Sequence, residues 1–115
     1  MANHDPDIAI IADAVQGNRG RDAQRLTEVC YALTATLLRK NHDYGGAVWQ
    51  EPILCPGMPA RSAILVRMSD KIGRLRKLLS SNDPQVAESI DDTLADLAGY
   101  CLLELANPYR TGGPG

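Results

Sequence analysis

Three acidic residues recur at every fourth position near the end of the sequence: Glu88, Asp92 and Asp96. This spacing places their side chains on one face of a predicted helix, on successive turns. The segment from residue 94 to 106 is otherwise almost wholly apolar. A carboxylate there is costly to desolvate unless it meets a cation, a metal or a hydrogen-bond donor. Carboxylates stacked in this way can hold a divalent metal in front of phosphate groups, and the alternative is a solvated acidic face.

A second charged group lies on an earlier predicted helix, where Arg67, Asp70, Lys71 and Arg74 share the face opposite the apolar stripe. Arginine donates two parallel hydrogen bonds to phosphate, and lysine supplies a mobile point charge. We therefore expect the three basic side chains to contact phosphate oxygens, and Asp70 to join the acids of the following helix. Here too a solvated charged face is the alternative.

The third group of candidate residues lies between residues 40 and 49. It combines charged side chains, two glycines that allow a positive φ or the close approach of a ligand, and aromatic rings that could stack on a nucleobase. Its members are Lys40, His42, Asp43, Tyr44, Gly45, Gly46 and Trp49. His42 is a candidate general base, although a histidine beside an aspartate is often a local hydrogen-bonding pair. Zinc is not expected, because no second histidine lies nearby in the sequence.

Apolar residues recur with a helical period over three long segments and predict an all-α fold. The expected elements are a short helix over residues 6–15 and long helices over residues 21–40, 61–80 and 84–107. They would form a small bundle of three long helices plus the short N-terminal one. Because the last helix is apolar on nearly every side and has few neighbours to cover it, we expect a homodimer or homotetramer.

Two Asp-Pro pairs mark predicted helix starts, with the aspartate as cap and the proline at the first helical position. The pairs are Asp5-Pro6 and Asp83-Pro84. Between the first two long helices, residues 41–60 contain three prolines and three glycines, which argue against a regular helix. This segment is either a functional loop or an apolar strap that closes one end of the core, and both could hold at once.

Composition limits the classes of function. At 115 residues the chain is expected to form one domain, and a net charge of −2 gives no general attraction to nucleic acid or to an anionic membrane. Neither a signal peptide nor an apolar run long enough to span a membrane is evident, and the three cysteines form no Cys-x-x-Cys pair. We expect a cytoplasmic protein in which Cys30 and Cys101 are core thiols. Phosphate-binding loops, Rossmann fingerprints and serine nucleophile elbows are also missing from the sequence.

Three motifs, taken in order, resemble one known family. They are Lys-Asn-His-Asp-Tyr-Gly at residues 40–45, Arg-Met-Ser-Asp-Lys-Ile-Gly-Arg-Leu at 67–75, and the acidic segment at 88–100. Together they resemble the first type of nucleotide modification associated domain, a small α-helical family of phages and bacteria. The resemblance covers about residues 25–106. It implies a role in nucleotide metabolism, in the host cytoplasm if the chain is phage-encoded. We expect a nucleotide-binding domain over residues 21–107, an N-terminal segment with a short helix over residues 1–20, and a disordered tail over residues 108–115.

Residues 92–100 are also similar to the second acidic motif of the all-α NTP pyrophosphohydrolases, the MazG and dimeric dUTPase group. Those enzymes use Mg²⁺, held by carboxylates from two helices, to split an NTP into NMP and pyrophosphate. The similarity implies that Asp92 and Asp96 are Mg²⁺ ligands, that Asp70 supplies the acid from the preceding helix, and that Glu88 is an outer ligand or base.

The chain departs from this pattern in one motif. The pyrophosphohydrolases carry Glu-Glu-x-x-Glu where this chain has Asp70-Lys71 and Arg74. Three functions therefore stay open, the first of them favoured: a Mg²⁺-dependent (deoxy)nucleotide pyrophosphohydrolase, a module that binds a nucleotide or nucleotide-derived signal without cleaving it, and a structural or adaptor bundle. In the last case the charged stripes would be solvated or would form ion pairs between helices.

Overall fold

Helices account for most of the described chain. A computed structural model describes residues 6–16, 20–44, 46–83 and 85–109, with side-chain surroundings for all of these except residues 14–16, 20, 43 and 44. The elements are α1 (Pro6–Gln16), α2 (Gly20–Tyr44), a single 3-10 turn (Ala47–Trp49), α3 (Ala60–Leu79) and α4 (Val86–Leu105). The described residues contain no strand, so the prediction of an all-α fold with three long helices and a short first one is confirmed.

Helix α2 is longer than predicted. It continues past Lys40 to Tyr44, so the prediction that a loop starts at residue 41 is wrong. Residues 41–44 contain neither glycine nor proline, and the helix ends only at the glycine pair that follows. Gly46 adopts a left-handed conformation with φ of 75°, as predicted, and its N–H donates to the carbonyl oxygen of Asn41 at 3.2 Å. This hydrogen bond satisfies one of the last carbonyl groups of the helix.

Helix α4 begins two residues later than predicted, and Asp83 is not its N-cap. Gln85 holds the N-cap position without a side-chain hydrogen bond. The Oδ1 atom of Asp83 instead accepts a hydrogen bond from the N–H of Gln85 at 2.9 Å, which forms a turn before the helix. Pro6 is the first residue of α1, as expected. Asp5, Pro84 and residues 110–115 of the predicted tail lie outside the described residues.

The chain divides into two units, Met1–Arg39 and Lys40–Gly115. The first unit contains α1 and most of α2. The second contains the end of α2, the connecting segment, α3 and α4. The division falls inside α2, and all of the predicted site residues belong to the second unit.

In the second unit, α3 and α4 pack against each other as an antiparallel hairpin. Ile64 of α3 is 0% exposed, and Thr93 of α4 is also fully buried. The Thr93 hydroxyl donates to the carbonyl oxygen of Ser89 at 2.7 Å, which satisfies this polar group within its own helix. These buried residues mark the direction in which each helix faces its neighbour.

The hairpin has two different edges, because each residue advances by about 100° around a helix. Neighbours of a buried residue in sequence therefore lie to either side of the interface, as Asp92 and Leu94 do around Thr93. We call the side bearing Asp92 the charged edge and the opposite side the apolar edge. The charged edge consists of Arg67, Lys71 and Arg74 on α3 with Glu88, Asp92 and Asp96 on α4. The apolar edge consists of Leu65, Ile72 and Leu79 on α3 with Leu94, Cys101 and Leu105 on α4.

The segment from Gly46 to Pro59, which we call the strap, packs on α3 and reaches α4. The indole Nε1 of Trp49 donates to the carbonyl oxygen of Leu103 at 2.9 Å, and its ring meets that of Tyr109 edge to face at 6.5 Å. The strap therefore closes one end of the hairpin, as one of the two interpretations predicted. Ile53 takes no part in this closure, because it is 95% exposed at the tip of the strap.

The two cysteines expected in the core are exposed, so that prediction is wrong. Cys30, Cys55 and Cys101 are all exposed free thiols. Cys101 lies on the apolar edge, where α4 has no cover from α3.

In the part of the chain that the structure describes, no helix is long and apolar enough to cross a membrane.

Two glycine substitutions should shift stability in opposite directions. Gly46→Ala will destabilise the chain by about 1 kcal/mol, because an L side chain is strained at φ of 75°. Gly73→Ala, in the middle of α3 where an added Cβ meets no atom within 4 Å, will stabilise it by about 0.5–1 kcal/mol. Urea unfolding of both variants checks the pair, and equal effects would contradict the backbone argument.

Candidate charged-edge site

The charged edge is held together by one ion pair between the helices. Lys71 Nζ of α3 lies 3.0 Å from Asp96 Oδ2 of α4. Both side chains are partly accessible to water, with 29% of Lys71 and 42% of Asp96 exposed. The base of one predicted motif therefore meets the acid of the other, on a surface that a solute can reach.

The positions of the neighbouring charged residues along the edge are set by the pairing of Lys71 with Asp96. Arg74 lies about one turn beyond Lys71 along α3, and Asp92 lies one turn before Asp96 along α4. Because the helices are antiparallel, Arg74 and Asp92 occupy the same end of the edge. Both are exposed, as is Arg67 at the other end. The edge thus presents a basic strip beside an acidic strip.

Glu88 continues the acidic strip to the first turn of α4, where it lies about 40° further from the interface than Asp92. Its side chain is exposed, and a carboxylate at this position also stabilises the helix by interacting with the helix dipole. No ion pair joins Glu88, Asp92 or Asp70 to a base within the described residues. Asp70 precedes Lys71 by one position and therefore lies about 100° further from the interface. The residue of α3 that meets the acids is Lys71, and the structure does not bring Asp70 into a cluster with them.

The arrangement of acids limits what metal could bind to one chain. In the described ranges, no group of three His, Cys, Asp or Glu side chains is placed to hold a metal ion. The physical reason is that acids four residues apart follow the helix axis and do not converge on one point, while Asp96 is already paired with Lys71. Mg²⁺, however, is commonly held by only one or two carboxylates together with phosphate oxygens of the substrate. The donor set fits a metal that arrives with a polyphosphate, with Asp92 and Asp96 as the carboxylates.

The third predicted group lies at the end of α2, ahead of the strap. Lys40 and His42 are exposed on the helix, and His42 is the basic residue of its last turn. A histidine there can also stabilise the helix end. The side chains of Asp43 and Tyr44, and Gly45 as a whole, lie outside the described residues. Trp49 is half-buried and tied to α4, which gives it a packing role, and its stacking on a nucleobase stays a prediction.

A second ion pair between the helices was not predicted from the sequence. Arg61 Nε lies 3.2 Å from Glu104 Oε2, and the Glu104 side chain is only 11% exposed. This pair lies at the strap end of the hairpin. A signal was available, because Glu104 interrupts an apolar run and a buried carboxylate needs a cation.

Comparison with known proteins assigns the second unit to a family. Residues 40–107 match the model of a family described as nucleotide modification associated domain 1. The match covers more than half of the chain, begins where the second unit begins and includes every predicted site residue. The predicted resemblance to this family is confirmed, while the similarity to pyrophosphohydrolases stays a prediction. No curated protein and no solved structure matches the chain.

Proposed function

We propose, from the premise that this chain belongs to the nucleotide modification associated domain 1 family, that its charged edge binds the phosphates of a nucleotide. The observation that carries the proposal is the ion pair between Lys71 and Asp96, which brings the basic strip and the acidic strip to one accessible edge. An ion pair between the helices is also what a structural bundle would form, so it is the family assignment that favours a ligand at this edge. A polyphosphate with its metal requires both kinds of charge side by side.

The basic strip would hold the phosphate oxygens. The guanidinium groups of Arg67 and Arg74 are exposed and lie to either side of Lys71, so that they can each donate two hydrogen bonds to phosphate. Lys71 is pre-positioned by Asp96, and its flexible side chain can transfer its charge from the carboxylate to a phosphate. Its move would leave Asp96 available as a ligand.

The acidic strip would hold Mg²⁺ through Asp92 and Asp96, and the ion, when bound, would neutralise phosphate charge and polarise a phosphorus–oxygen bond. Glu88 lies one turn from Asp92 and is a candidate acceptor for the proton of an attacking water. His42 is an alternative acceptor. The activity that this arrangement supports best is that of a (deoxy)nucleotide pyrophosphohydrolase or a related nucleotide-processing enzyme.

A second candidate function is capture of a nucleotide without cleavage. It is favoured by the lack of a three-acid group in the described part of the chain, together with the presence of Lys71 and Arg74 on the edge. Such a module would bind phosphate mainly through its basic strip. Its affinity would then depend little on Mg²⁺, which separates it from the enzyme.

A thermal-shift panel tests binding itself. The panel contains dNTPs, NTPs and the monophosphates, each with and without Mg²⁺. A ligand at a hundred times its dissociation constant stabilises a protein by about 2.7 kcal/mol, which raises the Tm by several degrees in a domain of this size. We expect a Mg²⁺-dependent shift with at least one triphosphate. A flat panel would contradict nucleotide binding and leave the charged edge as a purely structural feature.

The chain offers matched controls for the site. Arg74→Ala should weaken nucleotide affinity about tenfold or more, since a hydrogen bond to a charged group contributes about 1.5–3 kcal/mol. Arg76→Ala removes another exposed arginine, from outside the charged edge, and should leave affinity unchanged. For the acidic strip, Asp92→Asn is the test variant and should weaken nucleotide affinity, while Asp91→Asn is its control from outside the charged edge and should leave affinity unchanged. Equal losses within either pair would contradict the assignment of the edge.

Turnover separates the two candidate functions. Asp96→Asn should abolish release of NMP and pyrophosphate and leave the fold intact, because its ion pair with Lys71 is partly exposed and contributes little to stability. If the variant hydrolyses nucleotides as fast as the wild type, the enzyme assignment is wrong. Tight binding by the wild type without any product would assign the chain to the second function.

A further inference from the structure

We infer that the apolar edge of the α3–α4 hairpin is the surface on which a second copy of this chain docks, so that two hairpins form a four-helix arrangement. The edge presents large side chains to solvent along its whole length. Leu65, Ile72, Leu79, Leu94 and Leu105 are all exposed. Several large apolar side chains on one side of two packed helices favour an interaction site, whereas isolated exposed leucines do not, and the exposed Arg61 and Arg76 lie on the same side of α3. The inference does not depend on the proposed nucleotide site, which lies on the opposite edge.

The spacing of these residues indicates that the partner is a helix. Leu65, Ile72 and Leu79 recur every seven residues, and so do Leu94 and Cys101. A seven-residue repeat keeps one apolar line facing a neighbouring helix that runs alongside, as in helical bundles. The α3–α4 interface itself uses a different line of α3, the one that contains Ile64. The line formed by Leu65, Ile72 and Leu79 therefore has no partner helix within the hairpin.

A second copy fits this surface because the line is symmetric about its own midpoint. Ile72 lies halfway between Leu65 and Leu79, near the middle of α3. When two copies pair antiparallel about a two-fold axis, each Ile72 meets its equivalent, and Leu65 of one copy meets Leu79 of the other. Both hairpin helices have 20 residues, so a second hairpin also matches the edge in length. Self-complementarity of this kind is what a two-fold interface requires.

The area of the edge is also adequate. Twenty residues of helix span about 30 Å, and two helices side by side are about 20 Å wide. The flat area of the edge is therefore roughly 600 Å², and protruding side chains make the surface area larger. A stable interface buries about 800 Å² per partner, so the two values are comparable. In the pair, both charged edges would face away from the contact and stay open to solvent.

Thiol labelling of the wild-type chain tests the inference without a mutation. Cys101 lies on the apolar edge, and Cys55 lies in the exposed strap as an internal reference. When about nine-tenths of the chains are paired, Cys101 should react about tenfold more slowly than in dilute solution, since only the unpaired chain exposes it. Cys55 should react equally fast at every concentration. If Cys101 reacts slowly at every protein concentration, it is covered by packing within one chain, and the inference is overturned. The inference is also overturned if Cys101 reacts fast at every protein concentration.

Two substitutions on α3 locate the contact. Ile72 is 47% exposed on the apolar edge, and Val66 is 53% exposed on the back of the same helix. Light scattering should give twice the 12.4 kDa chain mass for the wild type and for Val66→Asp, and the single-chain mass for Ile72→Asp. A wild type that stays monomeric, or equal masses for the two variants, overturns the inference. Should Ile72→Asp fail to fold, the dilution dependence of Cys101 labelling decides the question.

Discussion

Ile64→Ala will lower the free energy of unfolding by about 3 kcal/mol, the largest effect we expect from any single truncation in the hairpin. Ile64 is 0% exposed and lies near the beginning of α3, on the face that packs against α4. Removal of its side chain leaves a cavity that two helices joined by a short turn can only partly refill. Since small domains are stable by only about 5–15 kcal/mol, the loss is a large fraction of the total. Urea unfolding followed by circular dichroism measures it.

Val66→Ala is the matched control for this truncation. Val66 lies two residues further along α3 and is exposed on the side away from α4. Its truncation should change the free energy of unfolding by about 0.5 kcal/mol or less. Similar losses for both variants would mean that the hairpin interface does not dominate the stability of the second unit.

Arg61→Ala should destabilise the chain by about 2 kcal/mol, more than the loss of any other ion pair that we describe. Breaking a buried pair costs about 3–5 kcal/mol because a charge is left in a poorly solvated site. The Glu104 carboxylate is in such a site, at 11% exposure, but Arg61 is 52% exposed, so water can partly replace it. The exposed pair between Lys71 and Asp96 is the comparison, and Lys71→Ala should cost less than about 1 kcal/mol.

A double substitution separates the charge effect from packing. Replacement of both Arg61 and Glu104 by leucine should recover most of the stability that Arg61→Ala loses, because no buried charge then remains. Added salt should weaken the pair between Lys71 and Asp96 more than the buried one. If Arg61→Ala and Lys71→Ala cost the same, burial is not what distinguishes the two pairs.

Much of the helical architecture could be predicted from the sequence, because periodic apolar residues and helix-breaking residues are local signals. The starts and ends of α1 and α3 agree with prediction to within one residue. The errors have local causes as well. The end of α2 was placed too early because the signal that stops it is the glycine pair, which begins five residues beyond Lys40. At Asp83, the side chain forms a turn with Gln85, and a sequence pattern does not distinguish this turn from a cap.

The site was harder to predict, since it depends on how two helices face each other. The sequence indicates that Lys71 and Asp96 each belong to a charged strip, but whether the strips meet depends on the rotation of α3 against α4. Asp70 and Lys71 are adjacent in sequence, and that rotation decides which of them reaches the acids. The exposure of Cys101 escaped prediction for the same reason. An apolar residue in a helix indicates a contact surface without specifying whether the partner belongs to the same chain.

The hydrogen bond from Trp49 to Leu103 gives the molecule its own optical probe. The chain contains one tryptophan, and that residue is the one that fastens the strap to the end of α4. Indole emission moves to longer wavelength when the ring passes from a half-buried site into water. The emission wavelength therefore reports on the surroundings of Trp49, and under conditions where the helices stay folded it reports on release of the strap from the hairpin. Strap opening can be timed and titrated in the unmodified chain, with no label introduced.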